Sequence, residues 1–481
     1  MAGANFMYSD QNIYGGDVEN MTYKNQWYWN FANNINNVTE NGWRRATNSV
    51  FGSVQMAYNE YVSLDITARN DWSSTLPKDN NSYFYPSFNL GFVASDFVRT
   101  HWNKMPEWIT FAKVRLSAAK VGKDAPPYAI YNRWEGGYLK GQAKKPELSS
   151  TKANNNLRPE TSWSYEAGLD MKFLNNRLGF DFTYYYTRTT DQIMTIPEAA
   201  PWKFRWINSG LIVNKGVEAM IYATPVQTKD FTFNLNVNLS HNTSTVKELN
   251  EKKKHIYFEG DQFMPVYVGA VEGGKLGDIY AKRMYKRDEN GQIIMKNGVP
   301  VFTTDEQYSL DHPIGNIQPD LLMSVTPSFT YKGFTLSALF DMKFGGDVVS
   351  VSEAIATSHG ISKRTEQRGE LLLPGMNEDG TVNTQRIDAQ LFYQAVGGRQ
   401  QAVAEEFVYN ASFIRLKEIS FGYSFPSLLL RKTPVSSLRV SFVGRNLAYL
   451  MKHTPGTSPE GGYDTSMFSQ ALDFSSLPYS R

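Results

Sequence analysis

The chain has 481 residues, with 49 Lys and Arg against 47 Asp and Glu and a formal charge of +2. This balance gives no basic surplus for nucleic acid and no acidic tail. The absence of cysteine excludes a disulfide framework and thiolate chemistry. Mean hydropathy is −0.44, and no run of about eighteen apolar residues offers a transmembrane helix. Neither fact excludes membrane strands, which need about nine to eleven residues, half of them polar. The 28 Tyr and 29 Phe fit a barrel with interfacial girdles. Met1-Ala-Gly-Ala-Asn-Phe-Met-Tyr8 has neither the charged region nor the apolar region of a signal peptide.

Period-two alternation predicts about twelve strands, near 49–58, 60–70, 84–94, 108–120, 162–173, 177–189, 208–223, 230–243, 319–331, 333–344, 409–424 and 436–448. The pattern is clearest in two of them. In Leu178–Tyr186, Leu178, Phe180, Phe182, Tyr184 and Tyr186 share one face, with Gly179, Asp181, Thr183 and Tyr185 on the other. In Phe231–Ser240, Phe231, Phe233, Leu235, Val237 and Leu239 oppose Thr232, Asn234, Asn236, Asn238 and Ser240.

Short connections at Asn59-Glu60, Asn175-Asn176, Lys332-Gly333, Pro225–Lys229 and Phe425–Ser436 alternate with long ones at 70–83, 121–161, 189–207, 244–318 and 345–409. Residues 95–107 are predicted as a longer turn on the short side. Outer-membrane barrels have this asymmetry, with short turns in the periplasm and long loops outside. Tyr58, Tyr61, Phe173, Phe231, Tyr331, Phe334 and Phe425 flank the short turns, where amphipathic rings suit headgroup depth. The strands also exceed the five or six residues usual in a soluble sandwich. The expected fold class is therefore all-β, a transmembrane antiparallel β-barrel with long extracellular loops.

Motifs for chemistry fail on spacing. Gly269–Lys275 has phosphate-loop spacing, but Leu276 stands where a Ser or Thr should hold magnesium. The six histidines (His101, His241, His255, His312, His359 and His453) show no metal-ligand spacing. Asp288-Glu-Asn-Gly291 starts like a calcium loop, but Gln292-Ile-Ile-Met ends the ligand series. Hairpin turns at Asn290-Gly291 and Asn297-Gly298 are expected instead. No nucleophile elbow is present. Neither an enzyme, a cofactor nor a metal is expected. The candidate substrate-binding residues are Tyr128, Tyr131, Trp134 and Tyr138, beside Arg133 and Lys140, together with Trp202 and Trp206 in Trp202-Lys-Phe-Arg-Trp206. Rings beside cations suit stacking on sugars or peptide side chains; they equally suit packing of loop on loop.

Several segments resemble one family. Asn156-Leu-Arg-Pro-Glu-Thr-Ser-Trp-Ser-Tyr-Glu-Ala-Gly-Leu-Asp170, Asn214-Lys-Gly-Val-Glu218, Asp65-Ile-Thr-Ala-Arg-Asn-Asp-Trp-Ser-Ser74 and Tyr85-Pro-Ser87 are similar to segments of SusC/RagA-like TonB-dependent transporters. So are Ala411-Ser-Phe-Ile-Arg-Leu-Lys-Glu-Ile-Ser-Phe-Gly-Tyr423, Arg445-Asn-Leu447 and Pro459-Glu460, with Tyr85 and Phe421 replacing the family's Phe and Leu. The resemblance implies a barrel of about twenty-two strands around a plug. It implies an outer-membrane importer, energised by TonB–ExbB–ExbD through the plug region, for oligosaccharides or peptides. A SusD-like surface lipoprotein is the implied lid, and membrane lipid and lipopolysaccharide the implied surroundings. On this resemblance residues 1–481 are expected to be one partial barrel domain, without signal peptide, plug or last strand, and residues 2–8 the end of a preceding strand. A passive porin, a structural outer-membrane barrel and a secreted glycan-binding module are the alternatives.

Overall fold

The computed structural model describes residues 1–21, 32–102, 105–139, 142–249, 254–258, 264–456, 458–460 and 469–474. Thirteen long strands dominate it: β1 (Ala2–Met21), β2 (Ala32–Tyr58), β3 (Val62–Ser73), β4 (Ser82–Val93), β5 (Ile109–Lys123), β6 (Glu160–Phe173), β7 (Leu178–Pro197), β8 (Phe204–Gln227), β9 (Phe231–Glu248), β10 (Leu321–Tyr331), β11 (Phe334–Phe344), β12 (Phe413–Ser424) and β13 (Arg439–Lys452).

The chain divides into two compact units. Unit 1 comprises Met1–Val93, Val114–Ala167 and Tyr186–Val213; unit 2 comprises Ala94–Lys113, Gly168–Tyr185 and Asn214–Arg481. In unit 1 the strand order runs from β1 to β8 in sequence, and in unit 2 from β5 to β13, with β5 to β8 contributing segments to each. Pairing is antiparallel through β1–β4 and through β9–β13.

The turns follow local chemistry. Lys332 and Gly333 both have positive φ, 46° and 91°, and Tyr331 lies directly opposite Phe334. This is the two-residue turn whose twist matches a hairpin. Asn59 and Glu60 (φ 46° and 61°) turn β2 into β3. Leu174, Asn175 and Asn176, all at positive φ, turn β6 into β7. Asn297 (φ 52°) and Gly298 (φ 74°) close the expected hairpin between 294–296 and 299–300. Around Asn290-Gly291 the Asp288 carboxylate accepts the N–H groups of Asn290 and Gln292, at 2.9 and 2.8 Å.

The structure corrects the expected elements in three places. Strand pairing begins well before residue 49: β1 runs to Met21, past the expected end near residue 8, and pairs along β2 from Ala32. The expected loop 189–207 shrinks to 198–203, because β7 and β8 continue into it. The predicted turn 95–107 contains a helix, α1 (Ala94–His101). The first two corrections share a cause. At about 3.4 Å per residue, the 20 residues of β7 span ~68 Å. About eleven tilted residues cross a bilayer. A strand outside the bilayer needs no apolar lipid face, so its alternation lapses.

The described residues of the long segments 244–318 and 345–409 belong to unit 2. They form short sheets and three helices, α2 (Glu306–Asp311), α3 (Val351–Ser358) and α4 (Ala389–Val396). Asp305, Ser350 and Asp388 cap these helices, each accepting first-turn N–H groups. Met264, Val266, Val268, Val349, Phe407 and Leu472 are fully buried in a common apolar core there.

Candidate functional site

In unit 2 the register sorts the two faces of the sheet. Asn234, Asn236 and Asn238 of β9 lie opposite Ser328, Thr326 and Ser324 of β10, while Phe233, Leu235 and Val237 lie opposite Phe329, Pro327 and Val325. The next pair repeats this: Ser324 opposes Asp341 and Ser328 opposes Ser337, while Val325 opposes Phe340 and Phe329 opposes Leu336. Like thus faces like along both ladders, the arrangement that stabilises cross-strand pairs. Asn238 Nδ2 donates to Ser324 Oγ at 3.1 Å, and Thr224 Oγ1 donates to Asn234 Oδ1 at 2.9 Å.

A cavity of about 530 Å³ is lined by Asp181, Thr183, Glu218, Asn238, Ser324 and Asp341, together with apolar residues that include Met220, Leu239, Leu322 and Met323. Its lining offers carboxylate, amide and hydroxyl groups, matching the hydroxyls of a sugar or the amides of a peptide. Asp181 and Asp341 both line this cavity; Asn234 and Asn236 lie along the same face of β9 as Asn238.

Beside the cavity is an ion network that sequence reading missed. A bulge skips Lys417 in the β11–β12 register. It lets both Arg415 and Lys417 reach Asp341, each at 2.9 Å. Arg415, only 5% exposed, also pairs with Glu460, which accepts the Tyr449 hydroxyl at 2.8 Å. A guanidinium this buried needs such partners to offset its desolvation. Arg415 and Glu460 both lie in the resemblance segments, but nothing in their spacing indicated that they touch.

In the loop region of unit 2, Asp278 accepts from Asn316 Nδ2 at 2.7 Å, and Asp347 accepts from the Asn316 N–H at 3.1 Å. Burial pushes both carboxyls above the usual range, and the neighbouring Asp320 pushes Asp347 further. Burial beside Glu406 raises the Tyr285 hydroxyl as well.

Unit 1 holds the candidate aromatic residues. Tyr128 has φ 66°. Its hydroxyl accepts the Arg44 N–H at 3.1 Å, and the Arg133 guanidinium lies 5.4 Å over its ring. Tyr131 and Trp134 are exposed. Trp206 packs against a cluster of Leu76, Ala125, Ala129, Ile130 and Leu157, and its carbonyl accepts Asn154 Nδ2 at 3.0 Å. Trp202 is half-buried, its N–H donating to the Ala199 carbonyl at 3.2 Å. The side chain of Tyr138, and all of Lys140, lie outside the described residues.

Two further networks brace unit 1. Asp71 accepts from Arg69 Nε at 2.7 Å and from the Tyr85 hydroxyl at 2.6 Å. The resemblance segments around Arg69 and Tyr85 therefore meet through the hydroxyl by which Tyr85 departs from the family's Phe. Asp124 gathers Arg45 at 2.8 Å, Thr75 Oγ1 at 3.0 Å and Ser73 Oγ.

A family model described as TonB dependent receptor-like, beta-barrel, matches residues 2–278. The TonB-dependent receptor P3 of Formosa agariphila is 27% identical over 461 residues, covering 89% of this chain and 44% of that protein. The TonB-dependent receptor SusC of Bacteroides thetaiotaomicron is 25% identical over 451 residues, covering 89% and 43%. The chain thus spans less than half the length of these relatives. The solved structure described as "Structure of the RagAB peptide transporter" superposes with a TM-score of 0.73 at 18% identity, over 99% of this chain and 51% of that one. At that identity the likeness establishes the fold.

Proposed function

Because this chain belongs to the TonB-dependent receptor-like β-barrel family of the outer membrane, we propose that it forms wall and extracellular loops of an importer for oligosaccharides or peptides. The observation that carries this reading is the register of β9 to β11, which puts amides, hydroxyls and carboxylates on one face and apolar side chains on the other. A wall between lipid and an aqueous lumen needs that division. The names of the relatives support the class of cargo: one is SusC, another a peptide transporter.

In this reading residues 1–481 are one part of a barrel domain, with TonB–ExbB–ExbD supplying the energy and a SusD-like lipoprotein covering the loops. Tyr131 and Trp134, exposed in the segment of the cation-capped Tyr128, are the contact residues for cargo or lid, whereas Trp206 supports this region from within an apolar cluster. Exposed rings next to a guanidinium suit stacking on sugar or peptide groups.

The test replaces Tyr131 and Trp134 together by Ala in the intact protein. Uptake of its cargo, or retention of the lid on purification, should fall several-fold while the folded barrel persists in the outer membrane. Undiminished uptake and lid retention would remove these residues from the mechanism.

A further inference from the structure

One end of unit 2 carries the turns 174–177, 228–230, 332–333 and 425–438 and the described residues 94–102 and 105–108 of a fifth connection. Backbone hydrogen bonds link them: Leu174 N–H to the Trp108 carbonyl at 2.9 Å, Lys332 N–H to the Asp230 carbonyl at 3.0 Å, and Ser424 N–H to the Gly333 carbonyl at 2.9 Å. Three of these turns are tight. The other two carry helices, α1 and α5 (Ser427–Leu430), and both expose large apolar side chains beyond the strand ends. Trp102 is 62% exposed and Trp108 55%; Leu428 and Leu429 are 74% and 65% exposed.

Trp108 continues an apolar surface already present. Trp108 stacks on Phe173 at 5.7 Å, and Phe173 lies 6.0 Å from Phe180, on the apolar face of β7 with Phe182. The same turns are basic. Beyond the pairs Arg99–Asp96 and Lys332–Asp230, Arg177, Lys229, Arg431 and Lys432 outnumber Glu107. An apolar rim flanked by cations, continuous with a lipid-facing surface, is complementary to an anionic bilayer surface. Indole and leucyl groups enter the boundary between headgroups and acyl chains, and Lys and Arg meet the phosphates.

We infer that the turn end of unit 2, through α1 and α5, is a docking surface for anionic phospholipid headgroups of the adjacent leaflet. The inference rests on the reading of this chain as membrane wall. It assigns the two helical turns a role that a simple strand connection does not need.

These 481 residues contain no cysteine, so a cysteine introduced among them is a unique label once any cysteine elsewhere in the intact protein has been replaced. The intact protein is reconstituted in phosphatidylcholine vesicles with and without phosphatidylglycerol. It carries an environment-sensitive fluorophore at Trp102→Cys, Leu428→Cys, Phe182→Cys or Glu378→Cys, and heat-modifiable mobility confirms that each variant folds. Lipids brominated near the headgroup should quench the labels at 102 and 428 more than lipids brominated at mid-chain. Aqueous iodide should quench both several-fold less than the label at 378, in the exposed loop. Phosphatidylglycerol should strengthen the lipid quenching, and Arg431→Gln with Lys432→Gln should cancel that gain at 428.

Iodide quenching at 102 and 428 equal to that at 378 would overturn the inference. So would labels there that neither quencher reaches, since a protein surface would then cover them. The label at 182 separates this from the underlying reading. If mid-chain bromolipid fails to quench it, the membrane wall itself is wrong; if it is quenched while 102 and 428 stay in water, only the lipid docking fails.

Discussion

The wall strands β9 to β12 and the loop region above them belong to one unit but solve opposite solvent problems. In the loop region a cluster of apolar side chains is hidden: Val266, Val268, Val349 and Phe407 are fully buried. In the wall, Phe329, Phe334, Leu336 and Phe421 stand exposed on one face, while Ser324, Asp341 and Arg415 occupy the other. The loop region is held by removing apolar area from water. The wall is held by ladder hydrogen bonds and by lipid on its apolar side, because lipid gives apolar side chains no reason to leave it. A core residue and a wall residue of equal size should therefore respond differently to the same substitution.

The largest expected effect is in the loop core. Phe407→Ala should cost about 4 kcal/mol of local stability, as transfer energy and cavity add. Limited proteolysis should cut within 345–409 in the variant, while the wall keeps its heat-modifiable fold. The truncation Phe182→Ala on the wall should leave proteolysis unchanged; equal damage from both would break the comparison.

A smaller effect separates the two faces of the wall. Val325→Lys on the apolar face should cost about 2 kcal/mol of folding stability in bilayers. Asn238→Lys, on the polar face of the neighbouring strand, should cost almost nothing. Denaturant midpoints in vesicles measure both, and reversed costs would exchange lumen for lipid.

The smallest effect is pH dependence confined to the loop region. Asp278 and Asp347 have carboxyls raised by burial. Between the ordinary carboxylate range and those raised values the folded region holds more protons than the unfolded one, so its stability falls as pH rises through that window. Hydrogen exchange in 264–316 should be slower at about pH 4, the ordinary Asp value, than at neutral pH, beyond the intrinsic rate change, and Asp278→Asn should flatten part of the difference. An unaltered profile in that variant would remove Asp278 as a source.

Legibility in sequence followed the same division of solvents. The alternation of Phe231–Ser240 announced β9 and its two faces, because lipid and water impose that period on every residue. Lys332-Gly333 and Asn297-Gly298 announced their hairpins through the need for positive φ. The extra length of β1, β2, β7 and β8 was illegible, since strands outside the bilayer lose the two-sided constraint. The loop core was illegible for another reason: Met264, Phe407 and Leu472 meet only through tertiary collapse. The ion network needed a bulge at Lys417 to form, and no spacing rule places Glu460 beside Arg415. Among the aromatic candidates, composition did not separate Trp206, which packs on an apolar cluster, from Trp134, which is exposed.

The like-on-like register of β9 and β10 also gives the wall a parity. Deleting one residue from the middle of β9 would exchange the faces of everything beyond it, sending Asn238 into lipid and Val237 into the lumen. Deleting two would keep the faces and only shorten the strand. Lys417 marks where the chain has already spent an odd residue, its bulge resetting the count so that Ile419 and Phe421 keep step with Ala338 and Leu336. Insertions and deletions tolerated in these strands should therefore come in even numbers or carry a bulge with them, whereas the connections above the strands are bound by their own packing and not by parity.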